Sequence, residues 1–245
     1  MAKPGLRKTI LVVHGDKGGV GKSTLAALCV DYCIDQFGAC AVVEGDSKID
    51  DVARRFGGTA GVSGYLVDLA RADASEDAAV RLFEELERAN AAHVIVNTPA
   101  SASSTIDAQA DLIVPAAHEL GYTVTVAWLV GAGEESARLA GESALCAQAD
   151  RKVAVINDHY GTAATSIWER HAARAAWLES GGLETHLPDL TERVAEIVRA
   201  STGRISALSA PDSNLPVVTR TVIKRWVQAA WTGPCAAIYQ DTDHD

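Results

Sequence analysis

The chain has 245 residues, with 32 Asp and Glu against 22 Lys and Arg and a formal net charge of -10. That length suits one α/β domain or at most two small ones, and 48% apolar residues supply a large core without metals or disulfides. The acidity excludes wrapping nucleic acid over a broad surface, though not a local basic patch.

Residues 8–14 read as a strand, and the run Thr9-Ile10-Leu11-Val12-Val13 suits burial on both faces. A glycine-rich turn follows, and then a helix over 22–37 with Gly38 where a C-cap glycine belongs. A second strand covers 39–44, and a loop rich in Gly and Asp covers 45–62. Residues 73–90 form a helix with a stripe of Ala79, Leu82, Phe83 and Leu86. Residues 93–97 form a third strand, and 101–111 a short helix or loop. Strands are expected at 112–116 and 123–130, a helix at 134–148, and a strand at 152–157. A helix over 166–179 ends at Gly181-Gly182, and a short strand at 185–187 is broken by Pro188. Helices at 191–200 and 217–231 close the chain, before a polar, acidic tail at 240–245 that is expected to be disordered. This alternation predicts an α/β fold: a doubly wound, mostly parallel sheet with helices on both faces, in a single domain over 1–239.

Five cysteines, Cys29, Cys33, Cys40, Cys146 and Cys235, form no Cys-x-x-Cys pair and point to a reducing cytoplasm. Cys29 and Cys33 read as buried thiols on the first helix. The first eight residues lack the apolar stretch of a signal peptide, and no apolar run reaches the length of a membrane span.

The turn after the first strand is Gly15-Asp16-Lys17-Gly18-Gly19-Val20-Gly21-Lys22-Ser23-Thr24. Strand, glycine-rich turn and helix make the setting of a phosphate-binding loop. Glycines let backbone N–H groups line an anion site, and the helix N-terminus adds a favourable dipole. Lys22 brings a full charge to the β- and γ-phosphates, and the Ser23 hydroxyl is placed to ligate Mg2+. The ordinary loop wants glycine where Asp16 stands, and a second lysine, Lys17, opens the turn.

Lys17-Gly18-Gly19-Val20-Gly21-Lys22-Ser23-Thr24 resembles the deviant Walker A loop of the ParA/MinD ATPases. The resemblance implies a P-loop NTPase fold that binds ATP and Mg2+. It also implies an ATP-bound homodimer in which Lys17 reaches the partner's nucleotide, and a protein partner that stimulates hydrolysis. The family's first switch follows the second strand as Asp-x-Asp. Here Glu44-Gly45-Asp46 stands there, so the resemblance implies that Asp46 serves the metal or the attacking water, with Glu44 at the first acid position. The third strand ends Asn97-Thr98-Pro99, where the family has Asp-x-Pro. A neutral amide holds Mg2+-bound water less firmly than a carboxylate, so slow hydrolysis is expected, with Mg2+ leaning on Ser23 and Asp46. By the same resemblance Asn157 contacts adenine through its donor and acceptor, and Pro188 in Leu187-Pro188-Asp189-Leu190 lies against the base. A surface turn explains Pro188-Asp189 equally well.

The seven histidines offer no metal-ligand spacing, although His118-Glu119 follows an expected strand and could face the nucleotide. The five tryptophans read as core anchors. Arg220, Lys224 and Arg225 on the last helix, with Arg199 and Arg204, offer a nonspecific DNA patch, or else solvated charges on a packed helix. A membrane anchor of the MinD kind lies at the very end of a chain. Pro234 and the acidic tail follow this helix, so the sequence weighs against a membrane.

The resemblance is strong over residues 8–48. From about residue 110 onward the chain is loosely similar to the plasmid-borne TraL/MobD-like proteins of conjugation and mobilisation. The leading reading is therefore a cytoplasmic, ATP-dimerising ATPase that partitions or positions a cargo such as plasmid DNA or a conjugation complex. The alternatives are a nucleotide-gated binding module with little hydrolysis, and a small-molecule enzyme of the dethiobiotin synthetase type, against which Lys17 weighs.

Overall fold

The computed structural model describes residues 7–15, 17–46, 51–70, 75–100 and 102–240. β1 (Lys8–His14) is buried from Ile10 onward. Ile10 and Val12 enter one hydrophobic core, and Leu11 and Val13 enter another on the opposite face. A strand that is apolar on both faces needs helices on both sides.

Those helices alternate with strands along the chain. After β1 come α1 (Lys22–Phe37), β2 (Cys40–Glu44), α2 (Asp51–Arg55), β3 (Val62–Leu66), α3 (Ser75–Ala89) and β4 (His93–Asn97). Next are α4 (Ser103–Asp107), α5 (Ala110–Glu119), β5 (Tyr122–Val130), α6 (Glu134–Glu142), α7 (Ala144–Gln148) and β6 (Arg151–Asn157). Last are α8 (Thr162–Arg170), α9 (Ala172–Glu179), β7 (Leu183–Leu187), α10 (Glu192–Ala200), α11 (Val217–Ala230) and α12 (Ala236–Tyr239).

The strands form one seven-stranded sheet in the order β3-β2-β4-β1-β5-β6-β7, and each neighbouring pair is parallel. α1, α2, α10 and α11 cover one face through Leu25, Leu28, Val52, Val198 and Trp226. α3, α5, α7, α8 and α9 cover the other through Leu82, Ile113, Leu145, Trp168 and Trp177. Each such buried side chain contributes on the order of 2 kcal/mol. The chain leaves β1 toward β2 and β3, returns through β4, and crosses to β5 on the other side of β1. That reversal opens a crevice beyond the carboxyl ends of the central strands, where open α/β sheets take their ligands.

The expected strand at 112–116 is instead part of α5, which contains Pro115. Ala110, Ile113, Val114 and Ala117 are buried while Leu112 is exposed, a spacing of three and four that belongs to a helix face. The loop expected over 45–62 holds α2 and leads into β3, which sits at the sheet edge with Ser63, Gly64 and Leu66 exposed. Its sequence carries no hydrophobic alternation, and pairing with β2 supports it.

The helices expected at 134–148 and 166–179 are each broken. The Ser143 hydroxyl caps α7 by accepting from Cys146 N at 3.1 Å, and His171 Nδ1 caps α9 by accepting from Ala173 N at 3.2 Å. His118 ends α5 and pairs with Asp150 at 2.9 Å, beside the starts of β5 and β6. It lies at the opposite end of the sheet from the crevice and does not face a nucleotide there.

All five cysteines are buried and free. Trp128, Trp168, Trp177 and Trp226 are core residues, and Trp231 is half-buried. Among the described residues no helix is long and apolar enough to cross a membrane. The expected tail at 241–245, Asp16, Ser47, Lys48, Asp73 and Ser101 fall outside the described residues.

Candidate nucleotide-binding site

The glycine-rich turn leaves the carboxyl end of β1 and enters α1, whose first helical bond runs from Leu25 N to Gly21 O at 2.9 Å. Gly21 has φ 105°, and an added Cβ would stand 2.7 Å from Asn157 Nδ2. Only glycine fits that position. Lys22 is buried, and its ammonium donates to Gly15 O at 3.0 Å and Lys17 O at 2.9 Å, so the cation is folded across the mouth of the turn. Lys17 is exposed, and its Nζ lies 3.4 Å from where a Cβ on Gly133 would stand. The second lysine thus reaches toward the loop after β5.

Two groups outside the turn hold it. Asn157, at the end of β6, donates through Nδ2 to Val20 O at 2.8 Å, and Tyr160 donates to Gly19 O at 3.0 Å. Asn157 Oδ1 accepts from His159 N at 3.0 Å. Pro188 follows β7, and its carbonyl accepts from Trp226 Nε1 at 2.7 Å. A cleft of about 180 Å3 lies between these parts, lined by Gly19, Gly21, Thr24, Asn157, Pro188 and Trp226 among others. Two exposed pairs brace its rim, His186 with Asp158 at 2.7 Å and His159 with Asp189 at 3.1 Å. The structure therefore brings Asn157 and Pro188 to one cleft beside the turn.

The other side of the turn carries an exchange of groups. Glu44 and Asn97 end adjacent strands and stand opposite each other in the register of β2 and β4. Asn97 Nδ2 donates to Glu44 Oε1 at 2.5 Å and lies 3.3 Å from Ser23 Oγ. Glu44 Oε2 accepts from Val52 N at 3.0 Å and Ala53 N at 3.3 Å, the first turn of α2. Burial pushes the Glu44 carboxyl up to about 7, against the opposing pull of the Asn97 amide and the α2 N–H groups. Asp46 lies two residues on and is half-buried. An added Cβ on Gly45, between the two acids, would stand 2.9 Å from Asn97 O, Leu69 and Pro99.

Asn97 Oδ1 is buried without a partner. The Asn97 amide stands beside the Ser23 hydroxyl and the Glu44 carboxylate, and with its own unpartnered oxygen and Asp46 two residues past Glu44 these strand ends offer hard-oxygen groups of the kind Mg2+ takes. Among the described residues no three His, Cys, Asp or Glu side chains converge as a metal cage.

His14, the last residue of β1, is fully buried under the turn and edge-on to Trp128 at 4.8 Å. Its Nδ1 lies 3.0 Å from Thr98 Oγ1, and the Thr98 hydroxyl donates to Val13 O at 3.0 Å. The hydroxyl proton is therefore used, and His14 Nδ1 carries the hydrogen and donates. Burial, with the Lys22 charge beside it, lowers the His14 pKa to about 3, so the imidazole is neutral.

No protein-family model matches the chain. The curated protein MobD of Acidithiobacillus ferrooxidans is 24% identical over 223 residues, spanning 90% of this chain and 94% of that protein. Among solved structures, the MinC:MinD cell division protein complex of Aquifex aeolicus superposes with a TM-score of 0.52. That match has 12% identity and covers 90% of this chain and 94% of that one. The fold is that of MinD.

The likeness to ParA/MinD read from Lys17 to Thr24 thus reaches the architecture of the whole sheet. Around the glycine-rich turn the ends of β2 and β4 bring Glu44 and Asn97 to Ser23 on one side, and the ends of β6 and β7 bring Asn157 and Pro188 to the cleft on the other. Sequence reasoning left His14, Tyr160 and His159 without a role. His159 and Tyr160 lie two and three residues after Asn157, so the strand end that drew attention to Asn157 held the signal for them.

Proposed function

We propose that the protein binds ATP and Mg2+ on this crevice and acts as a nucleotide-switched protein that positions a cargo. The carrying observation is Lys22, buried in a turn of positive-φ glycines and folded onto the carbonyls of Gly15 and Lys17. A buried ammonium on two neutral carbonyls is poised to exchange them for phosphate oxygens, which bind it about twice as strongly. Gly18, Gly19, Val20, Gly21, Ser23 and Thr24 supply the rest of the phosphate site, and Asn157 and Pro188 frame the base. Ser23 and Asp46 would hold Mg2+. The bound ion supplies charge neutralisation for the phosphates. The chain's own residues orient the phosphates, shield them from water and fix the base.

Dimerisation on ATP follows from Lys17, exposed at the start of the turn, with the partner copy's nucleotide as its target. Similarity to MobD over most of the chain supports a cargo of the plasmid mobilisation kind, and MinD-like architecture supports a protein partner that stimulates turnover. For DNA, the surface reduces to Lys224 and Arg225, which are exposed on α11. Arg204 is bound to Asp31 at 2.6 Å and Asp35 at 3.2 Å, and Arg199 to Glu192.

A second reading, a nucleotide-gated module that barely hydrolyses, is favoured by one observation. Glu44 is held as an acceptor by Asn97, Val52 and Ala53, and the neutral Asn97 replaces a carboxylate. Calorimetric binding of ATP and ADP with and without Mg2+, followed by turnover with and without DNA, tests both. Tight Mg2+-dependent ATP binding with turnover raised by DNA supports the switch. Binding with no turnover under any condition supports the gate, and no binding at all overturns both.

A further inference from the structure

We propose that Arg55 is a positioning residue that makes the metal side of the crevice respond to occupancy of the base side. The proposal rests on the nucleotide reading above and adds a coupling between its two halves.

α2 is gripped at both ends. At its start, Val52 N and Ala53 N donate to Glu44 Oε2, and Glu44 Oε1 accepts from Asn97 Nδ2 beside Ser23. At its end, Arg55 is 9% exposed, and its Nη1 donates to Val198 O at 2.7 Å and Ser201 O at 3.2 Å. Its Nη2 donates to Ser201 Oγ at 2.9 Å, and its own carbonyl accepts from Gly203 N at 2.6 Å. Val198 and Ser201 carry the last carbonyls of α10, the negative end of that helix, where a cation is favoured. A buried guanidinium is a costly way to dock two helices, and an apolar side chain of similar volume commonly does as well. What the guanidinium adds is a fixed geometry, because its planar fork accepts few arrangements of the carbonyls.

α10 carries the setting onward. Its N-cap, Thr191, comes directly after Leu187-Pro188-Asp189-Leu190, and those residues line the base cleft. A cavity of about 540 Å3, lined by Ser23, Thr24, Val52, Arg55, Val198 and Ser201 among others, lies between α1, α2 and the end of α10. The hydrogen bonds of Arg55 bridge α2 to the end of α10 beside this cavity, where the apolar packing of Val52 and Val198 leaves space. Filling the base cleft sets α10, Arg55 passes that setting to α2, and α2 sets the direction of the Glu44 carboxylate next to Asn97 and Ser23.

The test compares ATP with inorganic tripolyphosphate, which fits the phosphate turn but has no base. Calorimetry gives the factor by which Mg2+ tightens each ligand. In the wild type that factor is larger for ATP than for tripolyphosphate, by about tenfold, within the usual span of coupling energies. In Arg55→Met the two factors become equal, and in Ser201→Ala, which removes one of the acceptors, the difference is intermediate. Hydrogen exchange at Val52 and Ala53 gives a readout free of metal and activity: ATP protects these amides more than tripolyphosphate does in the wild type, and equally in Arg55→Met. Equal Mg2+ factors in the wild type, or an undiminished difference in Arg55→Met, overturn the proposal. If Arg55→Met does not fold, an undiminished difference in Ser201→Ala overturns it. A wild type that binds neither ligand contradicts the nucleotide reading itself, which is a separate outcome.

Discussion

Lys22 is 7% exposed and holds two carbonyls of its own turn, so the chain has already taken its charge out of water. Lys22→Ala should weaken ATP binding on the order of 100-fold, the worth of one or two charge-assisted hydrogen bonds. Isothermal titration decides this, and unchanged affinity would remove the turn from the site. Asn97 is the second residue whose chemistry can be tested singly. Its amide donates to Glu44 at 2.5 Å, so Asn97→Asp sets two carboxylates against each other and deletes the donor. Without Mg2+ the variant should lose about 1–3 kcal/mol of stability, the usual cost of leaving a buried partner unsatisfied. Mg2+ with ATP should restore most of it, because the extra charge then meets a cation. Glu44→Gln should do less harm to the fold, since its amide oxygen still accepts from Val52 N and Ala53 N and its NH2 donates to Asn97 Oδ1 once the Asn97 amide turns over. Thermal melts of both variants across Mg2+ concentrations test the pair. An Asn97→Asp protein that Mg2+ and ATP leave unstable would place this strand end away from the metal.

At the scale of elements, the strand ends and the helices at 22–37, 75–89, 192–200 and 217–230 were legible, and some of the connections between them were not. β1, β2, β4, β5 and β6 carry apolar runs buried on both faces, and those runs placed Glu44, Asn97 and Asn157 at the crevice from sequence. α5 misled because its short apolar run, Leu112-Ile113-Val114, fits a strand as well as a helix. β3 and α2 were hidden because the edge strand carries Ser63 and Gly64, and because α2 is fixed by Glu44 and Arg55 rather than by its own propensity. The Arg55 link joins residues more than a hundred positions apart, and nothing local announces it.

The start of β4 makes a prediction of its own. His93 is buried, stacks on Phe37 at 4.0 Å, and leaves both ring nitrogens without partners. Burial lowers its pKa to about 4. In the unfolded chain it titrates near 6.5, so the unfolded state binds the proton first. The stability tied to neutral His93 is complete above about pH 6.5 and is lost as the pH falls toward 4, on the order of 3 kcal/mol in all. His93→Leu should therefore be the more stable protein at pH 5, with a smaller difference at pH 7.5. Glu44, whose raised pKa has the opposite effect, titrates alike in both proteins and cancels. A wild type that matches the variant at both pH values would mean that His93 is not held neutral.

For the whole molecule, the proposal that ATP brings two copies together rests on the mouth of the glycine-rich turn. Lys17 lies at that opening, exposed and directed toward Gly133 rather than folded into its own phosphate turn. It is the residue whose role a single copy of the fold leaves unspent. Light scattering coupled to size exclusion tests the account most directly, run on the wild type and Lys17→Ala with ATP, with ADP and without nucleotide. The account predicts a wild-type dimer with ATP alone, a monomer in the other two states, and a Lys17→Ala protein that still binds ATP but stays monomeric. A wild type that is monomeric with ATP, or a Lys17→Ala dimer of normal stability, would contradict it.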